Sequence, residues 1–214
     1  MTVVGLTTGG TVALTDRVST GKRVSVNRHN APESASFAGF RFTPLLIDAA
    51  RPCRHTVGDR WFVDETYVKV SGVWRYVYRA VDQHAHVIDV YVSKRRNIAA
   101  AQKFFTDALS NHGRPAEVTT DLAAPLLRVI DELMPEAIHD TEQYANNRSE
   151  NDHGRLKARL RPMRGLQTDR TASIVIRGHA FVQNLRRGHY ELGVEARRGH
   201  LRLAAAFDDL AEVI

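Results

Sequence analysis

The chain has 214 residues, 43% of them hydrophobic and 25% charged, with a formal net charge of +6, which suits one catalytic-sized domain with a packed core and excludes a grossly disordered chain. A single cysteine, Cys53, excludes a disulfide framework and a cysteine-rich zinc site and fits a reducing compartment. No apolar run is long enough to span a membrane and no signal-peptide pattern opens the chain, so the expectation is a soluble, cytoplasmic protein.

Residues 1–40 differ from the rest. Fifteen of them are Gly, Ser or Thr, with no sustained apolar period, which predicts a poorly ordered or atypical segment. "STGKR" is not a phosphate loop, because Lys22 is followed by Arg23 and no glycine stands five places before Gly21. Residues 41–58 read as a linker with a short helix over Pro44–Ala50, stopped near Pro52. Three strands are predicted next. "RWFVDETYVKV" (60–70) is rich in β-branched and aromatic residues, Ser71-Gly72 is a turn, "VWRYVYRAVDQ" (73–83) alternates, and "HVIDVYVS" (86–93) completes a meander. Trp74, Tyr76 and Tyr78 share one face of the second strand, where core packing is a better explanation than a base-stacking role. A helix over 97–113 has Asn97 as N-cap and Gly113 as its stop. A short buried strand (116–121), a helix (125–134) and a fifth strand (137–142) follow. A helix begins at Asn147 and is interrupted near Pro162, and another covers 171–187. The pattern predicts an α/β fold: one mixed five-stranded sheet with helices on its faces over 59–170, then a basic helical region over 171–214.

Charge is unevenly spread. Residues 154–202 carry twelve Lys or Arg against three acids, a balance of +9 that leaves −3 for the remainder. Such a concentration reads either as a polyanion footprint or as a solvated helical face. Within "NNRSENDHGRLKARLRPMRG" (146–165) the bases are accompanied by Glu150 and Asp152. Asp64 lies in the first strand, Asp121 at the carboxyl end of the fourth, where open α/β sheets place their sites, and Glu150 in the first turn of a helix. If the first and fourth strands are neighbours, the two aspartates converge. Carboxylates gathered without a counterion repel one another; a hard divalent cation removes that cost, and all-oxygen donors suit Mg²⁺ or Mn²⁺. Taken singly, each acid is better explained as a strand-edge, cap or first-turn residue; the combination with strand–strand–helix placement and a basic face is what points to a site. Lys157 lies seven residues beyond Glu150, two helical turns on the same face, and Arg161 continues it. Asp152 is about 200° round the helix from Glu150, so both do not serve one ion. His153, one turn after Glu150, is either within reach of the site or a surface histidine.

"WFVDETYVKVSGVWRYVYRAVD", "VTTD" and "NNRSENDHGRLKARLRPMRGL" resemble the catalytic domain of bacterial insertion-sequence transposases of the DDE type, specifically the IS-six (IS-twenty-six-like) family, over about residues 41–190. The resemblance implies a ribonuclease-H-like fold and metal-dependent DNA cleavage and strand transfer, with water or a DNA 3′-hydroxyl as nucleophile and no covalent protein intermediate. It maps the catalytic, metal-binding carboxylates onto Asp64, Asp121 and Glu150 and the following basic residue onto Lys157; Arg155, Arg161 and Arg164, read from the basic segment itself, are expected as further DNA contacts. It implies two Mg²⁺ or Mn²⁺ ions, double-stranded DNA (transposon ends and target) as partner, and a homo-oligomer on that DNA. Three departures stand out. Residues 1–40 do not resemble the helix-turn-helix domain that the family carries ahead of its core, which suggests a truncated or rearranged N-terminus. Leu122 stands where the family usually has lysine. The interval from Asp121 to Glu150 has 28 intervening residues, shorter than the commonest family spacing. The alternatives are a non-catalytic remnant that binds DNA or full-length transposase and modulates transposition, and another nuclease on the same scaffold.

Overall fold

A computed structural model describes residues 34–121, 124–141, 147–160, 166–196 and 200–213. They form two compact units, one from the described parts of residues up to Arg54 and from Tyr190 onward, the other His55–His189. The N-terminal reading, for residues 1–33, lies outside the described residues.

In the smaller unit, α1 spans Ser34–Ala50 and runs into a 3-10 turn at Arg51–Cys53. The expected helix start at Pro44 is not seen: Pro44 sits inside a longer helix. Proline favours the first turn because its missing N–H costs nothing there, but a longer helix can absorb the loss of one backbone bond. The helix at the end of the chain, α6 (His200–Val213), buries Ala206 and Leu210. Gly193 has φ +59° and its N–H donates to Asp209 Oδ2 at 2.7 Å; a Cβ there would meet the Arg202 carbonyl oxygen at 2.5 Å. Only glycine fits that turn.

The larger unit is built on strands β1 (Arg60–Val70), β2 (Val73–Asp82), β3 (Val87–Ser93), β4 (Glu117–Thr120) and β5 (Ile138–Asp140), in spatial order β3-β2-β1-β4-β5. The first three are antiparallel, while β4 runs parallel to β1 and β5 parallel to β4. This is the expected mixed five-stranded sheet. The predicted Ser71-Gly72 turn has φ of 48° and 80°, the twist that closes a two-residue hairpin.

Alternation along the strands separates two cores. Trp61, Val63, Tyr78, Ala80 and Val118 pack against α2 (Ile98–His112) and α3 (Ala124–Leu133) through Phe104, Phe105, Leu126 and Ile130. Residues of the other parity, Val68, Val70 and Val77, pack against α4 (Asn147–Leu160) and α5 (Asp169–Arg187) through Leu156, Ala172, Ile176 and Ala180. Successive strand side chains point to opposite faces, so helices cover both. Asn97 caps α2 as expected, accepting from the Ala100 N–H at 3.0 Å, and Gly113 ends it with φ 79°.

The sequence reading divided the chain after residue 170, yet α5 belongs to the sheet-containing unit. The buried Asn184 side chain accepts from the Val87 N–H at 2.8 Å and donates to the Val87 carbonyl at 2.9 Å, which ties α5 to β3. The aromatic trio on β2 also divides. Tyr78 is fully buried and Tyr76 packs against the first core, but Trp74 is 49% exposed. It stands next to the hairpin turn, beside Val73 at 55% exposure, at the end of the strand that the core residues do not cover.

Candidate active site

Asp64 is the fifth residue of β1 and shares the parity of Val68 and Val70, which directs it to the face that α4 covers. Its Oδ1 accepts from the Glu65 N–H at 2.7 Å, and its Oδ2 lies 3.1 Å from His153 Nδ1. The two side chains are only 13% and 6% exposed. Asp121 follows directly after β4. The last paired residues of β1 and β4 are Val63 and Thr120, so Asp64 and Asp121 occupy the next positions on neighbouring parallel strands, whose separation is about 4.8 Å. The pairing of the first and fourth strands, on which the expected convergence of the two aspartates depended, is present.

Glu65 reports the charge of this neighbourhood. Its carboxyl is raised above the usual range, first by burial, then by the charges of Asp121 and Asp64, against the pull of the Arg96 guanidinium. Glu65 forms an ion pair with Arg96. Behind it, burial followed by the Glu65 charge pushes the Tyr78 hydroxyl up to about 12. A negative pole thus sits at the carboxyl end of β4 and the middle of β1, which is the setting a cation would neutralise.

Arg79 is fully buried on β2 directly opposite Asp64. Cross-strand partners of this kind have their Cβ atoms about 5 Å apart, so a guanidinium stem lines the floor beside Asp64. Neither Glu65 nor Arg79 was singled out from the sequence. The available signal was an arginine in "YVYRAVD" at a position whose strand neighbours are apolar.

The helix α4 places the third acidic position. β4 pairs with β1 at Arg60–Val63, Val70 at the far end of β1 makes a parallel bridge to Leu166, and α4 packs along β1 and β2. His153 and Leu156 are buried and Leu160 packs against the second core, a helical seam of spacing three and four residues. Glu150 precedes His153 by three positions, the next place on that seam, in the first turn of α4; its side chain lies outside the described residues, as does that of Asp152. The burial of His153 removes the surface-histidine alternative. Lys157 and Arg155 are exposed, with Lys157 Nζ 5.2 Å from the centre of the Tyr67 ring. Arg161 and Arg164 lie outside the described residues. Among the described side chains no group of three His, Cys, Asp or Glu is arranged to hold a metal ion. The carboxylates of Asp64 and Asp121 are oxygen groups of the type that Mg²⁺ and Mn²⁺ prefer.

Residues 58–189 match a family model for the DDE domain of IS240-type transposases. A transposase for the insertion sequence-like element IS431mec of Staphylococcus aureus is 32% identical over 133 residues, covering 59% of this chain and 59% of the relative. The transposase for insertion sequence element IS257 in transposon Tn4003, also from Staphylococcus aureus, matches to the same extent. Among solved structures, the HTLV-2 integrase catalytic core domain in complex with magnesium aligns with a TM-score of 0.47 at 18% identity, over 61% of this chain and 88% of that one. The fold is a mixed five-stranded sheet in the order β3-β2-β1-β4-β5 with helices on both faces, and its residues 58–189 form a DDE domain. The chain belongs to the IS-six family of DDE transposases. It spans about 59% of the length of the curated relatives it matches.

Proposed function

We propose that this chain catalyses metal-dependent DNA strand cleavage and strand transfer during transposition of an insertion sequence. The observation that carries the reading is that Asp64 and Asp121 each directly follow the last β1–β4 pair, Val63 and Thr120, inside a matched DDE domain.

Asp64, Asp121 and Glu150 would hold two Mg²⁺ or Mn²⁺ ions, which supply charge stabilisation to the attacking and leaving oxygens in phosphoryl transfer. His153 holds one oxygen of Asp64, and Arg79 lies beside that aspartate on the next strand. Lys157 and Arg155, exposed on α4, bind the phosphates of the incoming strand, with Arg161 and Arg164 extending the basic face. In the joining step a donor 3′-hydroxyl attacks a target phosphorus. A new P–O bond forms, the P–O3′ bond of the target strand breaks, and the target is left with a 3′-hydroxyl. The partner is double-stranded DNA, as transposon ends and target, and the chain works as a homo-oligomer on paired ends. No helix among the described residues is long and apolar enough to cross a membrane.

The test supplies a pre-cut DNA end with a free 3′-hydroxyl, a supercoiled plasmid and Mn²⁺ or Mg²⁺. Joined product that disappears in Glu150→Gln and Asp64→Asn is the expected result. DNA binding without joining or nicking, equal in all three proteins, overturns it in favour of a non-catalytic binding role.

A further inference from the structure

At the tip of the β1–β2 hairpin two large aromatic side chains stand out from the surface: Tyr67 is 55% exposed and Trp74 49%. Their ring centres are 5.0 Å apart and their planes almost perpendicular, at 89°. Each carries an ammonium close by. Lys69 Nζ is 4.8 Å from the Trp74 ring centre, and Lys157 Nζ is 5.2 Å from that of Tyr67. The pairing follows from the register, in which Lys69 faces Trp74 directly and Tyr67 faces Tyr76, one step along the same side of the hairpin.

We propose that Tyr67, Trp74, Lys69 and Lys157 form a binding site for unpaired nucleotides of a DNA strand. The inference rests on the reading of the chain as a DNA-processing enzyme, and deepens it by assigning a subsite for single-stranded DNA. Half-exposed aromatic faces combined with cations are the means by which proteins hold single strands, the rings stacking on bases and the ammonium groups meeting phosphates. An intact duplex hides its base faces, so aromatic exposure selects strands with unpaired bases. A protein partner fits less well, because lysine is depleted from the centres of protein interfaces. Position supports the assignment. Lys157 is seven residues from Glu150 along α4, about 10 Å at 1.5 Å per residue, so a strand whose reacting phosphate lies near Asp64 reaches the hairpin within a few nucleotides.

The chain has only two tryptophans, and Trp61 is 1% exposed, which makes Trp74 the fluorescent reporter. The full chain is titrated with a ten-nucleotide oligodeoxythymidylate, a blunt duplex, and the same duplex bearing a 3′ single-stranded extension. Expected is quenching of the parent by the single strand and the extended duplex; affinities of parent and variants, read by fluorescence anisotropy of 5′-labelled DNA because the variants lack the reporter, fall about tenfold or more for both ligands in Trp74→Ala and are largely retained in Trp74→Phe. Affinity for the blunt duplex stays the same in all three proteins. Equal loss for blunt and extended duplexes, or no loss at all, overturns the proposal. So does concentration-dependent self-association that Trp74→Ala abolishes, because a second copy would then occupy the patch. An unchanged unfolding midpoint in Trp74→Ala confirms that the variant folds. Single-strand quenching in a protein that fails the joining assay would sink the catalytic reading and leave this one standing; joining with no quenching would do the reverse.

Discussion

His153 Nδ1 lies 3.1 Å from Asp64 Oδ2, joining α4 to β1 at a point where both side chains are almost enclosed. Among the described residues His153 Nε2 is buried with no hydrogen-bond partner, and the described polar contact of the imidazole is with the aspartate. It is a positioning residue: it fixes a carboxylate oxygen, and through it the distance between the strand and the helix that carries Glu150. Outer partners of metal-binding residues typically contribute about 10–100-fold in ion affinity or activity. His153→Ala is therefore expected to lower strand joining by that order and to raise the Mn²⁺ concentration giving half-maximal rate. A purely structural histidine would lower the unfolding midpoint without moving that concentration.

The carboxylates predict a response to divalent ions even without DNA. Ion binding to the folded state alone stabilises it by about 1.4 kcal/mol at ten times Kd. A scanning calorimetry series with Mg²⁺ and Mn²⁺ is expected to show a rising midpoint in the parent and a flat one in Asp121→Asn. Asp121 is exposed and its charge opposes ionisation of Glu65, so the metal-free stability of that variant should stay within about 0.5 kcal/mol of the parent. An ion response equal in both proteins would remove Asp121 from the metal site.

Leu156 is fully buried in the core that also contains Val68, Val77 and Ile176. It anchors the middle of α4 between His153 and Lys157. Leu156→Ala is expected to cost about 2–5 kcal/mol in urea unfolding, whereas Leu156→Met costs less than about 1.5 kcal/mol and keeps joining activity. A small loss in Leu156→Ala would mean that α4 is held mainly by its polar contacts.

His189 gives a pH signature. Burial pushes its imidazole down to about 4, outweighing the attraction of Asp82, with Arg187 and neighbouring histidines acting in the same direction as burial. Its ring stacks on His86 with centres 4.3 Å apart. The fold therefore favours the neutral ring, and between pH 6.5 and about 4 the unfolded chain binds more protons at this position than the folded one. The stabilisation is fully present above pH 6.5 and is lost as pH falls toward 4. Urea midpoints of His189→Gln should fall less steeply across that window than those of the parent; parallel slopes would refute the assignment.

Much of the scaffold was legible in the chain order of residues. Ser71-Gly72 marked the hairpin because few other pairs tolerate two positive φ values in succession. Asn97 and Gly113 marked the ends of α2 by their capping chemistry. Asp64 and Asp121 stood out because each sits in or at the end of a β-branched run, where sheets place their sites. Three features escaped. The burial of Arg79 opposite Asp64 depends on the β1–β2 register. The exposure of Trp74 depends on where the helices stop covering the sheet. The attachment of α5 to the sheet depends on Asn184 meeting Val87 nearly a hundred residues away.

The amino-acid sequence by itself determined the elements, the turn types and the identity of the acidic and basic groups, because those follow from local sterics, side-chain periodicity and charge. Only the tertiary structure decided which groups meet: Asp64 with His153, Asp121 at the strand position beside Asp64, Tyr67 and Trp74 with two lysines. Those meetings come from strand register and from the packing of α4 and α5 on one sheet face, and register is set by the summed burial of side chains distant in the chain, which no local pattern encodes.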